Sequence, residues 1–510
     1  MKRRACPLCV LLLGALMPVR ATELRVAGSG GMYTTIQPAL DAAHPGDTVT
    51  VHAGTYDERL VFSHGGTATG GYITLRAMPG EAVYLNGRNE HSPSAPHMID
   101  LNGASFVRVT GLHICSNLAT SGNGGSGIHF EGAGSHIELV SNTIYWMRGV
   151  HGMGITIYGT EAGQPVSDVV IAGNLIRDCQ PATSEAVTLN GNVAGFIVEG
   201  NEVRDVNNIG IDFICGEAGM PGGARNGVCR GNTVRRARSS YGGGYAAGIY
   251  SDGGRNIVIE RNSISECDLG IELGAENAGW VSSNVTVRSN LVFLNDKAGI
   301  SFGGYAANKG RVVHSAIINN TVFKNNNRAL GAGEFHGELI IQYAASNAVC
   351  NNLVYISERG DRRALLDDSA AGNAANAFAY NLYFCDAAAP AFQWHATAYS
   401  GFTAYTNATC ADRLSLYADP LLLAVAQTDL HLTGASPAVN AGDPACEPDA
   451  LACDFEGNPR VIEGRVDMGA YEYVPEPALA WVLPWVYALG RMRGRRERGR
   501  GGGNPRPCSV

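Results

Sequence analysis

Apolar and polar residues alternate along most of the chain, in runs of only three to five residues. Typical runs are Ile257-Val-Ile-Glu260 and Val285-Thr-Val-Arg288, and Gly and Asn separate one run from the next. Such alternation predicts short β-strands with one buried face, because neighbouring side chains of a strand point to opposite sides. The pattern therefore favours an all-β fold over a helical one.

A short phrase that begins with Asn recurs along the chain at intervals of 27 to 32 residues. It begins at Asn142, Asn174, Asn201, Asn232, Asn262, Asn290, Asn320, Asn352 and Asn381. A strand-rich unit of about 30 residues that repeats this often predicts a right-handed parallel β-helix of about ten coils. The recurring Asn is expected to form a ladder of side-chain amides that are hydrogen-bonded from coil to coil.

A second phrase, in which a small residue precedes Ile or Val, is interleaved with the first. If that Ile or Val points inward, the next residue points outward. The outward column then reads His129, Thr156, Thr188, Asp212, Tyr250, Glu272 and Ser301. The following outward position reads Glu131, Tyr158, Asn190, Ile214, Asp252, Gly274 and Gly303. Three acids, Asp212, Asp252 and Glu272, thus fall on consecutive coils, and we predict that they are catalytic.

Aromatic residues flank these acids, as in a groove that binds a sugar chain. They are Tyr158, Tyr241, Tyr245, Tyr250 and Trp280, which we predict to be substrate-binding. Rings stack on sugar faces, whereas acids bind hydroxyls, protons or a hard cation such as Ca²⁺. Glu217 and Glu276 are candidate metal ligands beside the acids. The competing interpretation is that the acids are solvated surface, as outward charges of a solenoid often are.

Three functions fit these residues. A glycoside hydrolase would use one carboxyl group as acid and a second as base. A polysaccharide lyase would neutralise a uronate with Ca²⁺ or Arg and remove the neighbouring proton. A non-catalytic surface protein would only bind matrix polysaccharide.

The chain resembles the pectate-lyase-like superfamily of parallel β-helix proteins over residues 24 to about 400. The resemblance includes the opening Tyr33-Thr-Thr-Ile-Gln and Gly54-Thr-Tyr56, where a short helix with Ile36, Leu40 and Ala43 on one face would cap the solenoid. Members of this superfamily include lyases, hydrolases, epimerases and adhesins. The resemblance therefore implies the fold without deciding the reaction, and an extracellular polysaccharide is predicted as partner from the acids and the aromatic residues that flank them.

The two ends of the chain resemble targeting signals. Lys2, Arg3 and Arg4 precede an apolar run and a small-residue site near Ala21, which predicts an export signal at residues 1–21. The β-helix is expected at residues 22–410. Residues 411–473, with Asn440-Ala-Gly-Asp443, are similar to the choice-of-anchor Q module. Residues 474–510 resemble a PEP-CTERM sorting signal, which implies cell-surface sorting by an exosortase-type machinery.

Charge and cysteine content refine this interpretation. The net charge is −8 although both ends are basic, so the body of the chain is acidic and a nucleic-acid partner is not expected. We expect a monomer. An exported chain can oxidise its cysteines. Three pairs are close enough in sequence to bridge, although sequence alone does not fix the pairing: Cys215 with Cys229, Cys385 with Cys410, and Cys446 with Cys453.

Overall fold

The structure is a computed structural model that describes residues 21–475, other than residues 121–123, 241–242, 332, 368–371, 448, 450 and 463. The predicted export signal and sorting segment lie almost entirely outside the described residues. No helix within the described ranges is long and apolar enough to cross a membrane.

Three long sheets make up a parallel β-solenoid, and successive coils contribute one strand to each sheet in turn. The first sheet follows the order Glu23–Val26, Thr48–Val51, Ile73–Ala77, Val107–Thr110, Gly134–Val140, Val166–Ala172, Val193–Glu199, Arg225–Arg230, Arg255–Glu260, Val281–Arg288, Ala316–Ile318, Ala348–Cys350 and Ala377–Ala379, with Arg311–Val313 and Ala344–Ala345 beside it. The second sheet contains Gly54–Tyr56, Val83–Glu90, His113–Ala119, Thr143–Gly149, Leu175–Arg177, Glu202–Val206, Thr233–Ala237, Ser263–Ser265, Leu291–Phe293, Thr321–Phe323, Leu353–Tyr355, Leu382–Phe384 and Leu416–Tyr417. The third sheet contains Leu60–Val61, Ile99–Asp100, Ile128–Gly132, Ile155–Gly159, Glu185–Gly191, Ile209–Ile214, Ala247–Asp252, Leu269–Gly274, Ala298–Gly303, Gly337–Gln342, Arg363–Asp367, Ala391–Trp394 and Thr397–Ser400. The predicted β-helix is confirmed, with about 12 turns.

The interior is filled by stacked aliphatic side chains, one row from each sheet. In the third sheet Ile211 lies opposite Ile249, which lies opposite Ile271, and all three are fully buried. A glycine precedes each of these residues because a larger side chain would not fit there. A Cβ on Gly210 would lie 2.6 Å from Cγ1 of Val234 and 2.5 Å from a backbone oxygen of the next coil. The repeated Gly-Ile phrase therefore reflects close packing at a corner of the coil.

The Asn ladder lies at the turn between the first and second sheets. Nδ2 of Asn262 donates to Oδ1 of Asn290 at 3.0 Å and to the carbonyl oxygen of Cys229 at 3.0 Å. The backbone N–H of Asn262 also donates to Oδ1 of Asn290, at 3.0 Å. A shorter ladder that the sequence analysis did not predict runs from Asn295 through Asn325 to the buried carboxylate of Glu338.

Each end of the solenoid is covered. The helix Ile36–Asp41 packs Ile36 and Leu40 into the N-terminal end, as predicted, with Ala43 buried beyond its last turn. At the other end the strand Thr397–Ser400 pairs antiparallel with Ala391–Trp394, and the helix Phe402–Thr409 buries Tyr405. Both covers remove core residues and strand edges from solvent.

The C-terminal segment of residues 419–473 lies against the outer side of the last coils. It contains the antiparallel strands Leu422–Ala424 and Asp429–Leu432 and the 3₁₀ turns Val425–Gln427 and Pro444–Cys446. Arg288 of the solenoid binds Glu447 of the segment at 3.0 Å. A disulfide joins Cys350 of the solenoid to Cys446.

The three cysteine pairs considered from sequence spacing are wrong. Cys446 is bonded to Cys350, which is 96 positions away in sequence. Among the residues that the structure describes, Cys453, Cys215, Cys229, Cys385 and Cys410 form no disulfide. Spacing along the chain fails here because folding brings a solenoid strand next to a distant C-terminal segment.

Candidate functional site

The outward column of the third sheet has the register that the alternation predicts. Thr188 lies opposite Asp212, Asp212 opposite Tyr250, Tyr250 opposite Glu272, and Glu272 opposite Ser301. Asp212 and Glu272 are thus two coils apart, which corresponds to about 10 Å at the usual strand spacing.

Asp252 occupies the second outward position on the coil between them. Gly274 lies opposite Asp252 on the next coil. Its Oδ1 accepts the backbone N–H of Glu276 at 2.6 Å. This bond anchors the turn that follows the strand Leu269–Gly274, so Asp252 helps to place Glu276.

Asp212 and Asp252 are buried, with only 2% and 5% of their surface exposed. The interpretation that these two acids are solvated surface is therefore wrong. Within the described part of the chain, Oδ1 of Asp212 has no hydrogen-bond partner. A buried carboxyl oxygen without a partner is uncommon, because it loses its hydration without compensation.

The carboxyl groups hold their protons more tightly than usual. Burial, followed by the charges of Glu276 and Asp252, raises the pKa of Glu272 to about 8. Burial also raises the pKa of Asp252 to about 8, against the lowering effect of its bond to the Glu276 N–H. For Asp212, burial and then the charge of Glu185 raise the pKa well above its ordinary value. At neutral pH the cluster consequently contains protonated carboxyl groups that can donate protons.

Glu185 is a member of this cluster that the sequence analysis missed. Thr188 donates its hydroxyl to Oε2 of Glu185 at 2.9 Å, and burial raises the Glu185 pKa to about 7. Strict alternation assigns Glu185 to the inside, because it precedes the inward Val187 by two residues. In the sequence, only its place at the start of the strand Glu185–Gly191, three residues before the outward Thr188, indicated that Glu185 could join the cluster.

A groove of about 630 Å³ opens beside Tyr250 and Glu272. Its walls include Tyr245, Glu276 and Tyr305. The two tyrosines are 52% and 60% exposed, so part of each ring is accessible to a ligand, although Lys297 covers one face of Tyr245. Of the three acids predicted to be catalytic, Glu272 lines this groove, whereas Asp212 and Asp252 are buried in the sheet next to Tyr250.

The predicted aromatic residues do not form one platform. Tyr245 and Tyr250 line the groove, whereas Tyr158 lines a separate cavity three coils away. Trp280 packs on Gly216, where an added Cβ would lie 2.3 Å from the indole ring. Tyr241 lies outside the described residues. Tyr305 and Phe335, which come from loops, complete the aromatic wall instead.

The two candidate metal ligands have other roles in the structure. Glu217 accepts a hydrogen bond from Nδ2 of the buried Asn190, and Glu276 lines the groove. No group of three or more His, Cys, Asp or Glu side chains in the described ranges is arranged to hold a metal ion. The geometry therefore gives the Ca²⁺ hypothesis no support.

Together, the fold and the groove define a parallel β-solenoid protein with a buried acidic cluster next to a groove that contains partly exposed aromatic rings. No protein-family model matches the chain. The chain is 33% identical over 423 residues to the uncharacterized protein YwoF of Bacillus subtilis strain 168, a match that covers 80% of this chain and 88% of YwoF. The chain therefore belongs to the same family as YwoF.

Solved β-helix structures resemble this protein in fold alone. A complex of XylC with xylose has 13% identity and a TM-score of 0.48, covering 89% of this chain and 98% of XylC. A family 28 exopolygalacturonase of Yersinia enterocolitica has 14% identity and a TM-score of 0.47, covering 73% of this chain and 77% of the enzyme. Other similar folds belong to polysaccharide lyases and to a surface adhesin of Streptococcus pneumoniae. At such low similarity the reaction has to be argued from the groove itself.

Proposed function

We propose that the protein is a glycoside hydrolase that acts on an uncharged extracellular polysaccharide in the groove beside Glu272. The observation that carries the proposal is the combination of a proton-holding Glu272 with the exposed rings of Tyr245 and Tyr305 in one groove. Glycoside hydrolysis needs a protonated carboxyl group to protonate the leaving oxygen. Aromatic rings beside that group would hold the sugar units of the chain.

The roles of the acids follow from their positions. Glu272 lines the groove and is the proton donor. Glu276 is exposed on the same wall and is the carboxylate partner that acts as base or nucleophile. Asp252 positions Glu276 by accepting the backbone N–H of Glu276, and Asp212 is buried beside them, opposite Tyr250 in the sheet. Asp212 and Asp252 are therefore positioning residues in this mechanism.

Charge favours hydrolysis of a neutral chain over elimination from a polyuronate. A lyase must neutralise the substrate carboxylate with a cation or Arg. Here Nζ of Lys297 lies over the Tyr245 ring at 3.8 Å and donates to the Gly243 carbonyl oxygen. Nζ of Lys309 lies 5.6 Å from the centroid of the Tyr305 ring. Asp268, Asp296 and Glu334 act on Lys297, and Glu276 acts on Lys309, so both lysines already have carboxyl partners and neither is left to neutralise a uronate.

The test separates the two reactions and simple binding. The purified full chain is incubated with neutral and acidic polysaccharides, with and without EDTA, and reducing ends and unsaturated uronates are measured separately. We expect reducing ends from a neutral glycan, no unsaturated uronate and no effect of EDTA. Unsaturated products that depend on a divalent ion would establish a lyase instead. Glycan binding without any new reducing ends would establish the non-catalytic alternative.

We also propose that the protein is exported and sorted to the cell surface. The basic and apolar N-terminus, together with the Val474-Pro-Glu-Pro477 segment and its arginine-rich end, supports this proposal. Mass spectrometry of the protein from the producing cells should show that both ends are removed. A surface or matrix protein that still ends at Val510 would contradict the sorting proposal.

A further inference from the structure

A second cavity, of about 500 Å³, lies on the third sheet toward the N-terminal end of the solenoid. Its lining includes His97, His129, Glu131, His151 and Tyr158. The proposed hydrolytic mechanism uses none of these side chains.

Two imidazoles are stacked in this cavity. The rings of His97 and His129 have centroids 3.8 Å apart and an interplanar angle of 9°. Nδ1 of His97 accepts the backbone N–H of Ser126 at 3.2 Å. Because the accepting nitrogen of a neutral imidazole carries no proton, the proton of His97 is on Nε2. Nδ1 of His129 is paired with the hydroxyl of Thr156 at 2.8 Å.

The imidazole pair is uncharged at neutral pH. Burial, and then the neighbouring His129, lowers the pKa of His97 to about 3, and burial lowers that of His129 to about 4. The charged groups around the pair are Asp100 and Arg59 near His97, and Glu131, whose Oε2 lies 3.6 Å from Nε2 of His129. An uncharged donor beside a carboxylate suits a hydroxyl group, which can donate and accept, better than it suits an anion.

The cavity and the groove lie along the same outward column of the third sheet. His129 and Glu272 belong to the same outward column and are five strand steps apart. At the usual strand spacing this separation is about 24 Å. Tyr158 lies between them, with its ring 5.5 Å from His129 in an edge-on contact. A polymer extended along the sheet could contact both places, whereas a disaccharide could not.

We propose that the cavity at His97, His129 and Tyr158 is a distal subsite for an uncharged sugar unit of the same polysaccharide. This inference rests on the proposed function, because it takes its ligand class from that polysaccharide. The N–H of His97 donates to a sugar hydroxyl, and the imidazole pair and Tyr158 shape the cavity. The protein then selects long chains over short ones, since only long chains reach from the groove to the subsite.

The test compares the binding of neutral gluco- and xylo-oligosaccharides, as disaccharides and as hexasaccharides or longer, by calorimetry in the Glu272→Gln background. His97→Asn keeps an acceptor for the Ser126 N–H but removes the Nε2 donor. His97→Gln places an amide donor near the Nε2 position. His113→Asn is the matched control, because His113 is stacked on Tyr84 in the second sheet, away from the cavity. The variants are checked for unchanged melting before binding is measured.

His97→Asn should weaken binding of the long oligosaccharide about tenfold, the loss of roughly one hydrogen bond, without changing disaccharide binding. His97→Gln should restore part of that loss, and His113→Asn should behave as the parent. Unchanged long-chain binding in His97→Asn would overturn the subsite while leaving the hydrolase proposal intact. Long-chain binding that depends on His97 in a protein whose wild-type form releases no reducing ends would support the subsite and reject the hydrolase. A parent that binds no neutral oligosaccharide would reject the subsite.

Discussion

Two columns of buried polar side chains run through this solenoid, and they differ in how their polar atoms are paired. In the Asn ladder, Asn262 and its neighbours pass hydrogen bonds from coil to coil, at 2.9 to 3.0 Å for Asn232 and Asn262. In the acidic cluster, one oxygen of Asp212 has no partner among the described residues, and burial together with the neighbouring acids raises the pKa values. The ladder lowers the free energy of the fold, whereas the cluster raises it.

This difference separates a structural column from a functional one. Paired buried amides are what a fold needs, since each unpaired group costs free energy. Crowded carboxyl groups with raised pKa values cost stability and are typical of sites where protons are transferred. Substitutions in the two columns should therefore have opposite effects on stability and activity.

The largest effect is expected for Glu272→Gln. The amide cannot donate the proton that the leaving sugar oxygen needs, so turnover should fall about a hundredfold or more. Melting should not decrease, because a group that is costly to ionise is replaced by a neutral one. The measurements are reducing-end release and thermal unfolding.

Glu202→Gln is the matched control for that prediction. Glu202 is an exposed acid of the second sheet that pairs with Arg204 at 2.7 Å, away from the groove. A surface pair of this kind contributes less than about 1 kcal/mol, so activity and melting should both stay near the parent values. Equal activity of the Glu272 and Glu202 variants would remove Glu272 from the mechanism.

Asn262→Leu should have the reverse effect. Leucine removes the acceptor of the backbone and side-chain N–H groups of Asn232 and the side-chain donor to Asn290 and Cys229, and of these bonds only the backbone bond to Asn290 remains. This loss should destabilise the fold by about 1 to 3 kcal/mol. Turnover measured well below the melting temperature should be nearly unchanged. Denaturant unfolding and reducing-end release check the two parts. Unaltered stability would show that the ladder is dispensable at this coil.

The two columns also predict how stability changes with pH. The pKa values of Asp252 and Glu272 are about 8 in the fold and about 4 in an unfolded chain, so the folded state holds their protons more tightly. With both groups protonated the fold does not bear the cost of burying their charges; that stability is complete below pH about 4 and is lost as the pH rises through about 8. The triple variant Asp212→Asn, Asp252→Asn, Glu272→Gln should lose less stability than the parent between these values.

The measurement is thermal melting of the parent and the triple variant between pH about 5 and about 9. This range begins inside the window and ends just beyond it. The Asn262→Leu variant serves as the control, because its defect does not titrate and should displace the parent curve without changing its shape. A triple variant that reproduces the slope of the parent would show that the acids are not desolvated in the fold.

Much of this arrangement could be predicted from the sequence, because a solenoid converts a linear repeat directly into spatial neighbours. The Gly-Ile phrase fixed which face each residue takes, and this placed Asp212, Tyr250 and Glu272 in one column. The burial of Asp212 was not predictable in this way. It depends on loops between strands, whose paths carry no periodic signal.

The same reason explains the errors. Tyr305 and Phe335 reach the groove from loops, and Trp280 turns away to cover Gly216. Likewise, the bond between Cys350 and Cys446 depends on where the C-terminal segment lies. Repeat patterns determine the coils, whereas the sites formed between coils and loops need the three-dimensional structure.

The smallest expected effect on stability comes from replacing a fully buried acid with its amide at two positions, Glu338 and Asp212. Oε2 of Glu338 accepts from the backbone and side-chain nitrogens of Asn325 at 3.1 and 2.8 Å, and Oε1 accepts from Ser357 N–H at 2.9 Å. An amide at this position points an NH₂ group at one of these donors, so Glu338→Gln should cost about 1 kcal/mol or more. Asp212→Asn should cost almost nothing, because burial raises the pKa of Asp212 and one of its oxygens has no partner to lose among the described residues. Urea midpoints of the two variants, measured with the parent at neutral pH, decide the comparison. Equal midpoints would mean that the two buried acids are equivalent, and the distinction between a paired structural column and an unpaired functional one would fail.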